Sequence, residues 1–172
     1  SAIGTGISEG VPDVSGIDSL VAIISPHIVP GDIFILKTTL PIGTTSIIAK
    51  KIADNSGLIL DESLLVAFCP ERIVEGKAME ELETLPKIVG GIGPNSAKRA
   101  KEVMSIFGSE VIEVSDSNTA EMCKLIDNSY RMTRFGFAAD IAAVSWRNEI
   151  DAYEAIRAAN RGYARNNVPL PS

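Results

Sequence analysis

The chain has 172 residues, of which 45% are hydrophobic and 5% aromatic, and its formal net charge is −6 at pH 7. The acidic balance argues against a nucleic-acid-binding protein, because such proteins displace phosphate counterions with a basic patch. No apolar run approaches the roughly 18 residues that span a bilayer, and the first residues lack the basic start and apolar core of a signal peptide. Cys69 and Cys123 lie far apart, without metal-ligand spacing. We therefore expect a cytoplasmic protein without a membrane or nucleic-acid partner and without a metal site.

Strand-like and helix-like patterns alternate along most of the chain. Apolar runs predict strands at 33–37, 64–68, 87–91 and 110–114. Nearly continuous apolar character is typical of strands covered on both faces, as in parallel sheets. Helical patterns lie between them, at about 18–28, 44–55 and 95–107. This order predicts an α/β fold: a partial Rossmann-like, doubly wound parallel sheet with right-handed crossovers.

A long helical pattern follows the last predicted strand. Asn118 and Glu121 have the spacing of a capping box at its start, and the pattern continues to about Trp146. At about 1.5 Å per residue such a helix is about 43 Å long, so it outspans a small sheet and is suited to linking two domains or forming a dimer interface. A shorter helix is predicted at Ala152–Asn160. We predict one domain over residues 1–115 and the beginning of a second, helical domain over 116–172.

Two glycine- or threonine-rich segments are candidates for ligand contact. Gly4-Thr5-Gly6, with Gly10 further on, does not have the spacing of a dinucleotide-binding fingerprint. Thr39 directly follows the predicted strand 33–37, and ligands of open α/β sheets bind at the carboxyl ends of strands. Thr44 or Thr45 can cap the next helix, so this segment has both a structural and a ligand-binding interpretation.

The segment Cys69-Pro70-Glu71-Arg72 follows the second predicted strand. It is either a solvated loop with a Glu–Arg pair or a site in which a carboxylate acts as general base toward water. Cys69 has no histidine near it in the sequence, so we interpret both cysteines as small core residues rather than nucleophiles.

On the long helix, Glu121, Lys124, Asn128 and Arg131 recur with helical spacing along one stripe. A solvated polar face is the ordinary interpretation of such a stripe. The alternative is catalytic, because a lysine and an amide held one turn apart form a rigid pair of donors for a developing oxyanion.

Together these segments resemble the UDP-glucose/GDP-mannose dehydrogenase family. Its members carry a Ser/Thr-Thr-Val-Pro turn, a Pro-Glu-Arg or Pro-Glu-Phe loop, and a helix with Glu-x-x-Lys-Leu-x-x-Asn. All three occur here in the same order, with Leu40 in place of the valine. The segments Cys-Pro-Glu-Arg and Ala-Glu-Met-Cys-Lys-Leu are most similar to the branch that oxidises UDP-N-acetyl-D-mannosamine.

The resemblance implies an NAD-dependent enzyme that oxidises the C6 alcohol of a UDP-sugar to a carboxylate in two hydride transfers. From the length of the long helix, and not from the resemblance, we also expect a homodimer formed through that helix. UDP-N-acetylglucosamine, UDP-glucose and GDP-mannose are alternative substrates. A non-catalytic dimerisation module is the alternative from a different functional class.

The resemblance also assigns roles to residues of this chain. Thr39 would position the catalytic water and Glu71 would activate it, while Lys124 and Asn128 would hold the C6 oxygen and stabilise its oxyanion. Thr5 and Thr39 would lie near NAD. The expected substrate contacts are Glu71, Arg72, Glu75, Lys124 and Asn128.

Two elements of the family pattern are not found within these 172 residues. The family's fingerprint glycines would precede Ser1, and its nucleophilic cysteine would follow Ser172. Because the second oxidation proceeds through a thiohemiacetal on that cysteine, we expect the isolated chain to be a fragment that is inactive alone.

Overall fold

The structure is a computed structural model that describes residues 6–8, 11–74 and 76–171. It confirms the α/β class. The chain divides into two compact units, Ser1–Leu125 and Ile126–Ser172, which are described separately. The predicted domain boundary between residues 115 and 116 stays a prediction.

The first unit contains a two-stranded antiparallel pair, a four-stranded sheet and the helices that cover it. The pair consists of β1 (Gly6–Ser8) and β2 (Val11–Asp13). The sheet has the order β3 (Ile33–Leu36), β4 (Leu65–Phe68), β5 (Lys87–Gly91) and β6 (Val111–Glu113). The helices are α1 (Ser15–Ile24), α2 (Thr44–Ser56), α3 (Ala78–Thr84) and α4 (Pro94–Ser105), with a 3-10 turn at Ser25–His27.

The four-stranded sheet is mixed rather than purely parallel. β3 pairs with β4 and β5 pairs with β6 in parallel, as predicted, whereas β4 and β5 run antiparallel. An apolar run that is covered on both faces has the same composition in either direction, so the sequence pattern could not show this reversal. The pair β1–β2 and the short helix α3 were not predicted either.

Successive residues of β4, and Cys69 directly after it, contribute to two cores, one on each face of the sheet. Val66 and Phe68 belong to a cluster with residues of α1 and α2, and Ala67 and Cys69 to a cluster with residues of α4. This alternation follows from the two-residue period of a strand. The sheet is therefore covered on both faces by apolar residues. Polar side chains that contact a ligand are expected at the strand ends.

A close backbone approach joins β5 to the start of the long helix α5 (Ser117–Arg147). A Cβ atom added at Gly90 would lie 2.0 Å from the carbonyl oxygen of Asp116 and 2.9 Å from the Cβ of Ala120. The absence of a side chain at Gly90 thus lets the first turn of α5 pack directly on the sheet.

The second unit contains the later part of α5 and the helix α6 (Ala152–Asn160). Asp151 caps α6, since its carboxylate accepts hydrogen bonds from the N–H groups of Tyr153 (2.8 Å) and Glu154 (3.2 Å). Asn160 then exchanges two hydrogen bonds with the backbone of Val168, of 2.8 and 3.1 Å, which fixes the segment after α6. The predicted positions of both helices are confirmed. Among the helices of the described residues, none combines the length and apolar character needed to cross a membrane.

Candidate active site at the strand ends

The carboxyl ends of β3 and β4 lie side by side because the two strands are parallel and in register. Leu36 is the partner of Phe68 in the ladder. The backbone contact continues beyond the strands: the Cys69 N–H donates to the Leu36 carbonyl (2.8 Å) and the Glu71 N–H to the Lys37 carbonyl (3.1 Å). The segment containing Thr39 and the loop containing Glu71 therefore begin at the same edge of the sheet.

Glu71 is held by three donors. Its Oε1 accepts from the N–H groups of Arg72 (2.9 Å) and Ile73 (3.0 Å), and its Oε2 lies 2.7 Å from Nζ of Lys37. Partial burial raises the pKa of the Glu71 carboxyl, but the Lys37 ammonium and the two backbone donors outweigh burial, so the pKa lies below its ordinary value. Glu71 is therefore ionised at neutral pH and fixed in orientation.

Lys37 was not among the residues singled out in the sequence. The signal was present, because Lys37 is a charged residue that ends an otherwise apolar strand run and stands two residues before Thr39. Arg72, which the sequence offered as a partner for Glu71, donates to the Pro86 carbonyl (3.2 Å).

Lys124 of α5 reaches this edge of the sheet. Its ammonium group donates to the backbone carbonyl of Glu71, and its side chain is half-buried. Asn128 follows one turn later on α5 and belongs to the second unit. Thr39 is half-buried directly after β3. The two other predicted site residues, Thr5 and Glu75, lie outside the described residues.

Glu121 has a role that the sequence did not predict. Its side chain is completely buried. It accepts hydrogen bonds from the Gly43 N–H (2.6 Å), the Thr45 N–H (2.7 Å) and the Thr45 hydroxyl (2.6 Å). Glu121 thus caps the amino end of α2 from a position 76 residues further along the chain.

This contact corrects two predictions about helix caps. Neither Thr44 nor Thr45 caps α2: Gly43 is the N-cap residue, and the Thr44 hydroxyl donates to the Pro41 carbonyl (2.6 Å). Glu121 does not close a capping box with Asn118 either. The start of α5 is instead held by Asp116, whose carboxylate accepts from the Thr119 N–H (2.7 Å).

A small cavity beside Glu71 is lined by charged side chains from several elements. The described charged residues around it are Lys37, Glu71, Arg72, Glu81 and Lys87. The described lining thus carries three cationic and two acidic side chains, of which Lys37 and Glu71 pair with each other. Such a surface favours an anionic ligand.

Cys69 lines the same cavity from the core side. Its side chain is 1% exposed, and burial raises the pKa of its thiol to about 11. A thiol that is neutral at pH 7 is a poor nucleophile. The interpretation of Cys69 as a core residue is confirmed.

Carboxylates of the chain itself accept from backbone N–H groups at the amino ends of α2 and α4. Helix N-termini commonly bind phosphate through free backbone N–H groups. Glu121 occupies those of α2, and Asp61 accepts from the N–H groups of Asn95 (3.2 Å) and Ser96 (2.7 Å) at the start of α4. At these two helix ends the chain's own carboxylates therefore take the place that a phosphate group would occupy.

Residues 2–108 match the sequence profile of the UDP-glucose/GDP-mannose dehydrogenase family, NAD binding domain. The chain belongs to the UDP-glucose/GDP-mannose dehydrogenase family. The resemblance of the motifs is thereby confirmed, and so is NAD as the cofactor of the matched domain.

Relatives extend the similarity beyond the matched domain. A curated UDP-N-acetyl-D-mannosamine dehydrogenase of Methanocaldococcus jannaschii is 33% identical over 159 residues, which are 92% of this chain and 36% of that protein. The enzyme of the same name from Escherichia coli K12 is 34% identical over 167 residues, 93% of this chain and 40% of that protein. The chain thus spans less than half the length of these relatives.

Solved structures show the same architecture. The structure of a UDP-D-ManNAc dehydrogenase from Pyrococcus horikoshii superposes with a TM-score of 0.92 at 27% identity, covering 99% of this chain and 40% of that one. The UDP-N-acetyl-mannosamine dehydrogenase Cap5O from Staphylococcus aureus superposes with a TM-score of 0.86 at 28% identity, covering 98% of this chain and 41% of that one.

Proposed function

We propose that the chain is a segment of an NAD-dependent dehydrogenase that oxidises the C6 alcohol of UDP-N-acetyl-D-mannosamine to the uronic acid in two hydride transfers. The observation that carries this proposal is the contact between the Lys124 ammonium and the Glu71 carbonyl. It brings the helix motif to the same strand edge as the loop motif, and that edge is also where the threonine motif begins.

Lys124 and Asn128 would hold the C6 oxygen. When the alcohol is oxidised it loses a hydride and a proton, and negative charge develops on its oxygen as the proton leaves. An ammonium donor directed at that oxygen stabilises the charge in the transition state more than in the ground state. The amide of Asn128, one helical turn further along the sequence, would add a second donor to that oxygen.

Thr39 and Glu71 would act in the second oxidation, which needs a water molecule to give a carboxylate. Glu71 is an ionised acceptor at the strand edge, and Thr39 follows the adjacent strand. A hydroxyl and a carboxylate side by side can hold a water through both its donors and its acceptors. NAD would supply the hydride acceptor at this edge, with Thr39 and Thr5 beside it.

The substrate contacts fit an anionic nucleotide sugar. Arg72 and Lys87 line the cavity together with the paired Lys37 and Glu71 and with Glu81, and these two cations would pair with the diphosphate of a UDP-sugar. We assign Glu71, Arg72, Glu75, Lys124 and Asn128 to substrate binding. We also keep the domain division at 115/116 as a proposal, with a dinucleotide-binding domain before it and the beginning of a helical domain after it.

We further propose that the long helix forms a homodimer. Several large apolar side chains of the second unit are exposed, among them Tyr130, Phe135, Phe137, Val144 and Trp146. Tyr130, Phe137 and Val144 are spaced seven residues apart on α5 and therefore share one face, and an exposed apolar face is typical of an interaction surface. Light scattering would test the assembly: the dimer mass supports the proposal, and a monomer at micromolar concentration would contradict it.

Incubation with NAD and a panel of sugars tests the enzymatic proposal. A longer protein that contains this chain together with the rest of the family's sequence would be given UDP-N-acetyl-D-mannosamine, UDP-N-acetylglucosamine, UDP-glucose and GDP-mannose. We expect two NADH for each UDP-N-acetyl-D-mannosamine consumed and the highest kcat/KM for that sugar. A folded protein that binds NAD but forms no NADH with any of the four would refute the activity. The 172-residue chain tested alone should form none.

A further inference from the structure

We propose that Lys37 is a positioning residue that holds Glu71 as an ionised carboxylate of fixed orientation at the strand edge. The part of this inference that concerns the reaction rests on the proposed function. The part that concerns the pair itself can be measured on this chain without NAD or substrate.

The contact between Lys37 and Glu71 is reciprocal. The Lys37 ammonium lies 2.7 Å from Oε2 of Glu71, and the Glu71 N–H donates to the Lys37 carbonyl at 3.1 Å. Lys37 is therefore the donor in the side-chain contact and the acceptor in the backbone contact, and Glu71 has the opposite roles. This double contact ties the end of β3, and with it Thr39, to the loop after β4.

The donors leave one side of Glu71 for a ligand. A carboxylate offers about four lone-pair positions, and the described donors occupy three of them: two backbone N–H groups at Oε1 and the ammonium at Oε2. The Glu71 side chain is 44% exposed, so a water can reach the remaining acceptor position. By occupying one acceptor position of Oε2, Lys37 thus determines which lone pair of Glu71 is left for that water.

Other charged groups also face Glu71, and they differ from Lys37 in what they contact. Lys124 donates to the Glu71 backbone carbonyl, and Arg72 donates to the Pro86 carbonyl. Glu81 and Lys87 line the same cavity, as does the thiol of Cys69, whose pKa is raised by burial. Lys37 forms a direct ion pair with the carboxylate and is the largest of the influences that lower the pKa of Glu71, so its removal should affect Glu71 most.

The pair has a consequence for the proposed chemistry. A carboxylate with a lowered pKa is a weaker proton acceptor, because proton-transfer efficiency follows Brønsted behaviour. Glu71 would therefore act mainly by orienting water and by remaining ionised when the pH falls. Loss of Lys37 should raise the pKa of Glu71, so that the carboxylate becomes protonated at a higher pH than in the wild type.

Carbon-13 NMR of the Glu71 side-chain carboxyl over a pH series tests the pair. We expect Lys37→Met to move the Glu71 midpoint to higher pH and Lys37→Arg to keep it near the wild-type value. Lys51→Met is the matched control, because Lys51 forms a comparable half-exposed ion pair with Asp18 (2.6 Å) away from the strand edge. An unchanged Glu71 midpoint in Lys37→Met would overturn the proposal, as would an equal shift in Lys51→Met.

A measurement on the wild type tests the ion pair without requiring that any variant folds. The nitrogen-15 shift of the Lys37 ammonium should change with the same midpoint as the Glu71 carboxyl. A Lys37 shift that does not follow the titration of Glu71 would contradict the ion pair.

The functional consequence is a change in the pH profile of the longer enzyme. The acid limb of kcat/KM should move to higher pH in Lys37→Met and return in Lys37→Arg. An acid limb at the same pH in both variants would confine Lys37 to a structural role. If no NADH forms at all, the proposed function fails, while the NMR result on the pair still stands.

Discussion

Two glutamates, Glu121 of α5 and Glu71 of the loop after β4, are bound by the protein in contrasting ways. Glu121 is completely buried and accepts from two backbone N–H groups and one hydroxyl. Glu71 is 44% exposed at its side chain, accepts from two backbone N–H groups, and pairs with an ammonium. A carboxylate enclosed by the protein serves the fold, whereas one that keeps a face toward solvent can serve chemistry.

The helix α5 connects the two regions. Glu121 and Lys124 are three residues apart on it, so their side chains share one face. Glu121 fixes that part of α5 to the amino end of α2, and Lys124 then reaches the carbonyl of Glu71. The buried glutamate therefore stabilises the geometry on which the exposed one depends.

Removal of the buried carboxylate should have the largest effect. Glu121→Ala leaves two N–H groups and a hydroxyl without an acceptor in the interior. We expect the free energy of unfolding to fall by about 3–5 kcal/mol, because each unsatisfied buried group costs about 1–3 kcal/mol. Urea denaturation measures this. Glu83→Ala on the exposed face of α3 is the control, with an expected change below about 0.5 kcal/mol; similar losses in both variants would contradict the structural role of Glu121.

A methyl group at Gly90 should disturb the same helix from the side of the sheet. The new Cβ would lie 2.0 Å from the Asp116 carbonyl oxygen, so β5 or the start of α5 must shift. Overpacking of this kind costs about 1–3 kcal/mol. Gly136→Ala, where nothing lies within 4 Å of the new Cβ, is the matched control and should stabilise α5 by about 0.5–1 kcal/mol. A neutral effect of Gly90→Ala on thermal unfolding would disprove the close approach.

A smaller change at the buried cap should have a correspondingly smaller effect. Thr45→Val removes the hydroxyl that donates to Glu121 but keeps the backbone N–H donor. We expect a loss of about 1–2 kcal/mol, because a buried hydrogen bond to Oε1 of Glu121 is lost. The control is Thr84→Val, which removes an exposed hydroxyl bond to the Glu80 carbonyl. If Thr45→Val is as stable as that control, the hydroxyl contributes little to the cap.

The smallest effect on stability is expected at Glu71. Its pKa is lowered in the folded chain, so its ionised form contributes stability above the ordinary pKa, and this contribution is lost as the pH falls through the lowered value. The difference in unfolding free energy between the wild type and Glu71→Gln should therefore be below about 1 kcal/mol at pH 7 for a half-exposed pair, and it should shrink on acidification. A difference that grows as the pH falls would contradict the direction of the pKa shift.

The sequence was sufficient where the signal is local. β5 and α6 have the bounds predicted for them, because Gly91 follows an apolar run and Asp151 is a strong N-cap residue. The strand-end position of Thr39 and Glu71 was also predictable, since parallel strands end at the same edge.

The sequence was insufficient where the partner is distant along the chain. Glu121 and Thr45 are 76 residues apart, so the residues that neighbour Glu121 in the sequence do not show why it is buried. The antiparallel pairing of β4 and β5 depends on tertiary structure in the same way. The sequence allowed two interpretations of Lys124, as part of a solvated face or as a catalytic donor. Its contact with Glu71 is visible only in the structure.

Lys124→Ala in the longer enzyme tests the central claim most directly, because Lys124 is the donor that joins α5 to the strand edge. We expect kcat to fall by about 10²–10³, the cost of losing one oxyanion donor, with the free energy of unfolding changed by less than about 1 kcal/mol. Lys98→Ala on the exposed face of α4 should leave kcat unchanged. A Lys124→Ala enzyme whose kcat stays within about two-fold of the wild type, a barrier change below about 0.5 kcal/mol, would contradict a catalytic role for this lysine.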